Sequence, residues 1–174
     1  MALIRAVRGY SPKLGKDCWL ADNATLVGEV VLGDQCTVWF GAVVRGDVNY
    51  IHVGDRTNIQ DNVTIHGSFE TAPTTIGSEV SIGHNAIVHG CTLEDNVLIG
   101  MGAMVMDGAV VKKGAIIAAG AVVLAGTIVE ENSIYAGIPA KKVKVLDDKN
   151  REMLARISKN YIKYASWFKD EKNR

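Results

Sequence analysis

A spacing of six residues governs this chain. Aliphatic residues stand at Leu14, Leu20, Leu26, Leu32, Val38 and Val44, then at Val53, Ile59 and Ile65, then at Ile76, Ile82 and Val88. The run resumes at Leu93, Ile99, Val105, Val111, Ile117, Val123 and Val129, with Tyr135 in the next place. Four residues after most of these anchors comes a small residue, such as Ala24, Cys36, Ala42, Ala86, Ala103, Ala109 or Ala121. Each small residue lies two before the next anchor, which is strand alternation with both side chains turned inward. A helix needs apolar spacings of three and four, and a period of six drifts off its face. Short strands joined by tight turns remain, and eighteen glycines against three prolines suit such turns.

The pattern resembles the hexapeptide repeat of left-handed parallel β-helices, in which three hexads make one triangular coil. Twenty anchors then imply an all-β, single-stranded left-handed parallel β-helix of about six to seven coils. The handedness is taken from the resemblance, since ordinary crossovers are right-handed. Beyond Gly137-Ile138-Pro139-Ala140-Lys141 the pattern changes: Leu154, Ile157, Tyr161, Tyr164, Ala165 and Phe168 fall at helical spacing between Asp147 and Asp170. Asp147 or Asp148 is the expected N-cap. The expected organisation is a β-helix domain over residues 1–140 and an α-helical extension over residues 141–174, its helix lying on its own subunit or on a neighbour.

Composition narrows the function. Nineteen basic residues balance nineteen acidic ones, so no net field recruits nucleic acid or an anionic membrane. No stretch approaches the roughly 18 apolar residues of a membrane span, and the start of the chain has no leader pattern. Cys18, Cys36 and Cys91 are odd in number and carry no paired spacing, which reads as reduced thiols in a soluble, cytoplasmic protein.

Three breaks in the period point to a site, because a solenoid in strict register has no packing reason to leave it. Val44 to Val53 is nine residues and carries Arg45-Gly46-Asp47; Ile65 to Ile76 is eleven and begins with His66; Val88 to Leu93 is five and carries His89. Val44, Ile65 and Val88 are successive members of one face, so Arg45, His66 and His89 form one outward column with the two histidines stacked. His84 follows Ile82 on the preceding face. Its path to His89 is roughly 16 Å of contour around a bend at about 3.3 Å per residue. Metal–nitrogen bonds of about 2.0 to 2.1 Å cannot join all three histidines within one chain. A neighbour would supply His84, and a closed threefold ring does so naturally. His52 stands alone and is assigned to the surface. Trp39 and Phe40, outward of Val38, suit packing at a subunit interface or a pocket wall.

Arg45-Gly46-Asp47, Asn58-Ile59-Gln60-Asp61-Asn62-Val63, His66, and His84 with His89 five residues on together resemble the γ-class carbonic anhydrase family and its ferripyochelin-binding and carnitine- or phenylacetate-operon relatives. The resemblance implies a homotrimer with Zn2+, or Fe2+ or Co2+ in its place, bound by His66 and His89 of one subunit and His84 of the next. It implies reversible hydration of CO2 to bicarbonate by a metal-bound hydroxide at the trimer interface. Gln60 and Asp61 would orient the hydroxide or an imidazole, although Gln-Asp-Asn is also good turn chemistry. Arg45 and Asp47 resemble the family's inter-subunit ion pair, and a surface salt bridge is the plainer reading. Asn58 belongs to the same motif. Tyr161 resembles a tyrosine near the family's site and is also a packing residue at helical spacing. The chain departs from the family in having Val48 after Asp47 and one acid, Glu70, in the loop Gly67–Pro73, so the family's proton-moving glutamates are missing and turnover would be slow. Two other classes remain open: an acyl-CoA thioesterase or acyltransferase of the hexapeptide superfamily, and a catalytically weak metal-binding or structural trimer.

Overall fold

The computed structural model describes residues 1–171, with side chains through Lys169. Each hexad folds into a strand of a few residues, and strands three hexads apart pair in parallel. On one face the anchors align as Val38, Ile59, Ile82, Ile99 and Ile117. A second face aligns Leu26, Val44, Ile65, Val88, Val105 and Val123, and a third aligns Leu32, Val53, Ile76, Leu93, Val111 and Val129. About seven coils of parallel strand result, ending in one helix. The anchors and the small residues between them are buried, with Ala42, Ala86, Ala103 and Ala109 at 0% exposure, so the core is a rod of stacked columns. The first coil is less covered, with Leu14 40% exposed and Cys18 and Leu20 half-buried, because no coil lies beneath it. The turns pass through the left-handed backbone region, at Gly108 and Gly126 with φ of +69°, a conformation that glycine adopts without a Cβ penalty.

Both ends carry strands that the six-residue spacing does not announce. Leu3–Arg5 pairs in parallel with Thr25–Val27. Lys141–Val145 runs antiparallel to Ser133–Ala136, so the last coil does not end in an open row of unpaired backbone groups.

The helix, Asp148–Glu171, starts where Asp147 accepts the backbone N–H of Asn150 at 2.9 Å, an N-cap contact. It docks on its own β-helix through aromatic rings. Phe168 sits 5.2 Å from Trp19 and 5.6 Å from Phe40, centroid to centroid, and Tyr161 meets Trp39 edge-on at 5.3 Å. The rings expected to suit an interface or a pocket wall thus pack against the chain's own helix, and Phe40 remains 38% exposed beside it. The chain's own helix covers Trp39, whose indole N–H donates to Thr37 at 3.0 Å. Further up, Leu154 packs on Ile116 and Leu146. Residues 172–174 of the expected extension lie outside the described residues. Among the described residues no helix is long and apolar enough to cross a membrane, and all three cysteines are free thiols.

Each central column depends on its neighbours above and below. Ile99→Ala, at a fully buried anchor, is expected to lower unfolding free energy by about 2–5 kcal/mol, whereas Leu124→Ala at an exposed position should change it by no more than about 0.5 kcal/mol. Urea unfolding followed by circular dichroism measures both.

Candidate metal centre

The first break in period becomes a bulge. Gly28 pairs with Gly46 and Val30 pairs with Ile51, so Asp47 to Tyr50 form a bulge, without register partners, inside the strand Val43–Val53. Asp47 therefore reaches the column above it. Its Oδ1 lies 2.9 Å from His66 Nε2, and its Oδ2 accepts from Arg45 Nη1 at 2.5 Å. Arg45 and Asp47 are thus an ion pair within one chain. Burial alone would raise the Asp47 carboxyl, but the hydrogen bonds from His66 and Arg45 and the Arg45 charge outweigh it and hold the group below its ordinary value.

His66 and His89 are register partners on adjacent strands, Thr64–His66 and Ile87–His89. Their rings are 5.2 Å apart, with His66 Nδ1 facing His89 Nε2 at 3.2 Å. The far side of His89 meets a residue that the sequence reading passed over: Nδ1 lies 2.5 Å from Asp107 Oδ1. Asp107 also accepts from Ser68 Oγ at 2.5 Å. The Ser68 hydrogen bond chiefly, then those from His89 and its charge, hold this carboxyl below the ordinary aspartate value against the opposing effect of burial. A count of hexads could have found it, since Asp107 follows Val105 by two and Val105 stacks on Val88.

His84 stands on another face, at the corner after Ser81–Ile82. Its Nδ1 lies 2.8 Å from Asp61 Oδ2, while Asp61 Oδ1 accepts the backbone N–H of Phe40 at 3.0 Å. Asp61 is therefore fixed at both oxygens and holds one side of the imidazole, leaving Nε2 uncommitted. Gln60 is only 5% exposed; its amide donates to Asn58 Oδ1 at 3.0 Å, and Asn58 donates to Ser81 Oγ at 2.8 Å. Gln60 and Gly83 line a cavity of about 430 Å³ between the helix and the β-helix, walled by Leu98, Met101, Ile157, Tyr161 and Tyr164. Burial first, then the charge of Asp61, pushes the Tyr161 hydroxyl up to about 12, so at neutral pH it is a hydrogen-bond donor. His52 is exposed and stacks on Tyr50 at 4.5 Å, apart from the other histidines.

Whether these residues suit a metal is answered by the pair His66 and His89. Each imidazole faces an ionised carboxylate with one nitrogen, which places its hydrogen there and its lone pair on the other nitrogen. With both rings neutral, two acceptors face each other at 3.2 Å, an arrangement relieved by a metal ion or a shared proton between them. Two nitrogens at about 2.0 to 2.1 Å from a tetrahedral ion are separated by roughly 3.3 to 3.4 Å, close to what is seen. The donors fit as two adjacent corners. Among the described residues of one chain, no three His, Cys, Asp or Glu side chains are grouped to hold a metal ion.

The profile described as bacterial transferase hexapeptide (six repeats) matches residues 11–46, 73–106 and 90–125. The chain belongs to that class of repeat proteins. A carbonic anhydrase of Geobacillus kaustophilus is 40% identical over 167 residues, covering 96% of this chain and 91% of that protein. The mitochondrial gamma carbonic anhydrase 2 of Arabidopsis thaliana is 41% identical over 160 residues and 89% of this chain, which spans 58% of the plant protein's length. Among solved structures, a hexapeptide transferase family protein from Anaplasma phagocytophilum aligns with a TM-score of 0.91 and 38% identity, covering 95% of this chain and 98% of that one. Within the hexapeptide class, the chain belongs to the γ-class carbonic anhydrase-like family.

The raised Tyr161 hydroxyl ties stability to alkaline pH. Its folded value of about 12 exceeds the ordinary value of 10.0, so its contribution is fully present below pH 10 and is lost as pH rises through about 12. Tyr161→Phe should therefore flatten the fall of the urea midpoint between pH 9 and pH 11.5 relative to wild type, a difference that vanishes below pH 9.

Proposed function

We propose that this protein is a metal-dependent carbonic anhydrase-like enzyme, hydrating CO2 reversibly to bicarbonate at sites shared between the subunits of a homotrimer. His66 and His89 of one subunit and His84 of a neighbour would hold the ion, and imidazole ligands suit zinc, ferrous iron or cobalt. When bound, such an ion supplies a Lewis acid that brings the pKa of water toward about 7. The observation that carries this reading is the facing pair of imidazole nitrogens, each turned toward the other by a carboxylate behind it. Support comes also from the single committed nitrogen of His84, and from relatives named as carbonic anhydrases.

The chain's own residues divide the remaining work. Asp47 and Asp61 hold the outer nitrogens of His66 and His84, which fixes the ring orientations before any ligand arrives. Gln60, with its amide N–H committed to Asn58, keeps its carbonyl oxygen free to accept a hydrogen bond from water or bicarbonate. Tyr161, protonated at neutral pH, offers a donor from the helix side of the same cavity, whose lining between them is largely apolar. Val48 in place of an acid and the single Glu70 in the loop leave out the family's proton-moving glutamates, which fits slow turnover. The free cysteines accord with a cytoplasmic setting.

One observation favours a second reading. The 430 Å³ cavity is largely apolar and far larger than a three-atom substrate needs, so the same donors could serve hydrolysis of an acyl thioester.

Purified protein should contain about one divalent ion per subunit and hydrate CO2 in a stopped-flow assay. His84→Ala should lose most of its metal and its activity while remaining folded. A trimer that holds no metal, or a His84→Ala protein with undiminished metal content, would reject the shared site. Metal without CO2 hydration, together with cleavage of acyl-CoA esters, would favour the second reading.

A further inference from the structure

We propose that Asp107 is the positioning residue of His89, a role that rests on the metal site proposed above. The argument begins with what aspartates do elsewhere in this fold. Asp34, Asp55 and Asp95 each stand two residues after an anchor, and each accepts a backbone N–H from the equivalent place one coil earlier: Lys16 at 2.7 Å, Asp34 at 2.8 Å and Ser78 at 2.8 Å. At that place an aspartate is a structural cap, joining coil to coil. Asp107 occupies the same place after Val105 but does otherwise. Its two oxygens go to side chains, His89 Nδ1 and Ser68 Oγ, each at 2.5 Å.

The surrounding backbone is shaped to allow this. Gly90 has φ of +55°, and a Cβ there would stand 2.8 Å from Asp107 Oδ1 and 2.8 Å from the Ala72 methyl, so the carboxylate lies against a residue with no side chain. Gly108 N–H donates to Gly90 O at 2.7 Å, which pins the two turns together and with them the separation of Asp107 from His89. Ser68 belongs to the loop that follows His66. A single carboxylate thus holds the ring of one histidine and the loop leaving the other. Accepting the Nδ1 hydrogen of His89 keeps the lone pair on Nε2, the nitrogen that faces His66. Asp47 does the same for His66 and Asp61 for His84, so each of the three imidazoles has one carboxylate behind it.

The test measures zinc affinity by competition with a chromophoric chelator, the visible spectrum of the cobalt-loaded protein, and thermal unfolding of chelator-treated protein. Asp107→Ala is expected to weaken zinc binding roughly 10- to 100-fold. It should also alter the cobalt ligand-field bands, while the metal-free melting temperature stays near wild type. Asp107→Asn, whose amide oxygen still accepts from Nδ1, should keep more of the affinity than the alanine variant, and Ser68→Ala should lose less than either. Asp95→Ala should give the reverse pattern, lowering the metal-free melting temperature and sparing affinity. Wild-type affinity in Asp107→Ala beside lost affinity in His89→Ala would overturn the role of Asp107 alone. Wild-type affinity in both would overturn the metal site and this role with it. A fall in metal-free stability large enough to account for the affinity loss would assign Asp107 to the structural caps.

Discussion

The parallel hydrogen-bond ladder between coils is the interaction on which everything else in this chain depends. It converts a sequence distance of about three hexads into a spatial distance of one strand spacing, roughly 4.8 Å, and does so with the same side chains facing the same way at every level. Isoleucine lies on isoleucine and alanine on alanine, so each column excludes water only while its neighbours keep register. A slip of one residue would turn an entire column outward, which makes register the costly thing to disturb. The same ladder brings His66 and His89 together from 23 positions apart.

Against that regularity, the departures build the site. Extra residues after Val44 bulge the strand at Asp47, so that its carboxylate reaches the coil above. Extra residues after Ile65 form the loop that carries Ser68 to Asp107. The shortened step after Val88 places Gly90 where the chain must turn at once, clearing room for a carboxylate. None of these changes alters the anchors themselves, which remain fully buried at Val44, Ile65 and Val88. The scaffold holds rigidly what the insertions present.

Most of the fold was legible in the sequence because a period of six has few physical solutions, and the stacking of His66 on His89 followed from counting hexads alone. Asp107 escaped for a physical reason. Aspartate two residues after an anchor recurs at Asp34, Asp55 and Asp95 as a turn cap, and nothing in the local sequence marks the one whose oxygens go elsewhere. The strand Lys141–Val145 escaped because it alternates too weakly, with exposed residues throughout. The apolar stripe of the helix was visible, but a stripe carries no record of which aromatic residues will receive it. Trp39 and Phe40 therefore gave no sign in the sequence that Tyr161 and Phe168 would lie against them.

That aromatic contact has a longer reach than packing. Phe40 touches the helix with its ring and touches Asp61 with its backbone N–H; Asp61 in turn grips His84. From Phe168 to His84 runs a short linkage of four residues, joined by one ring contact, one backbone hydrogen bond and one carboxylate–imidazole contact. The seat of the helix on its own subunit and the aim of an imidazole outward from that subunit are therefore set by one and the same part, as a latch and its bolt are cut from a single bar.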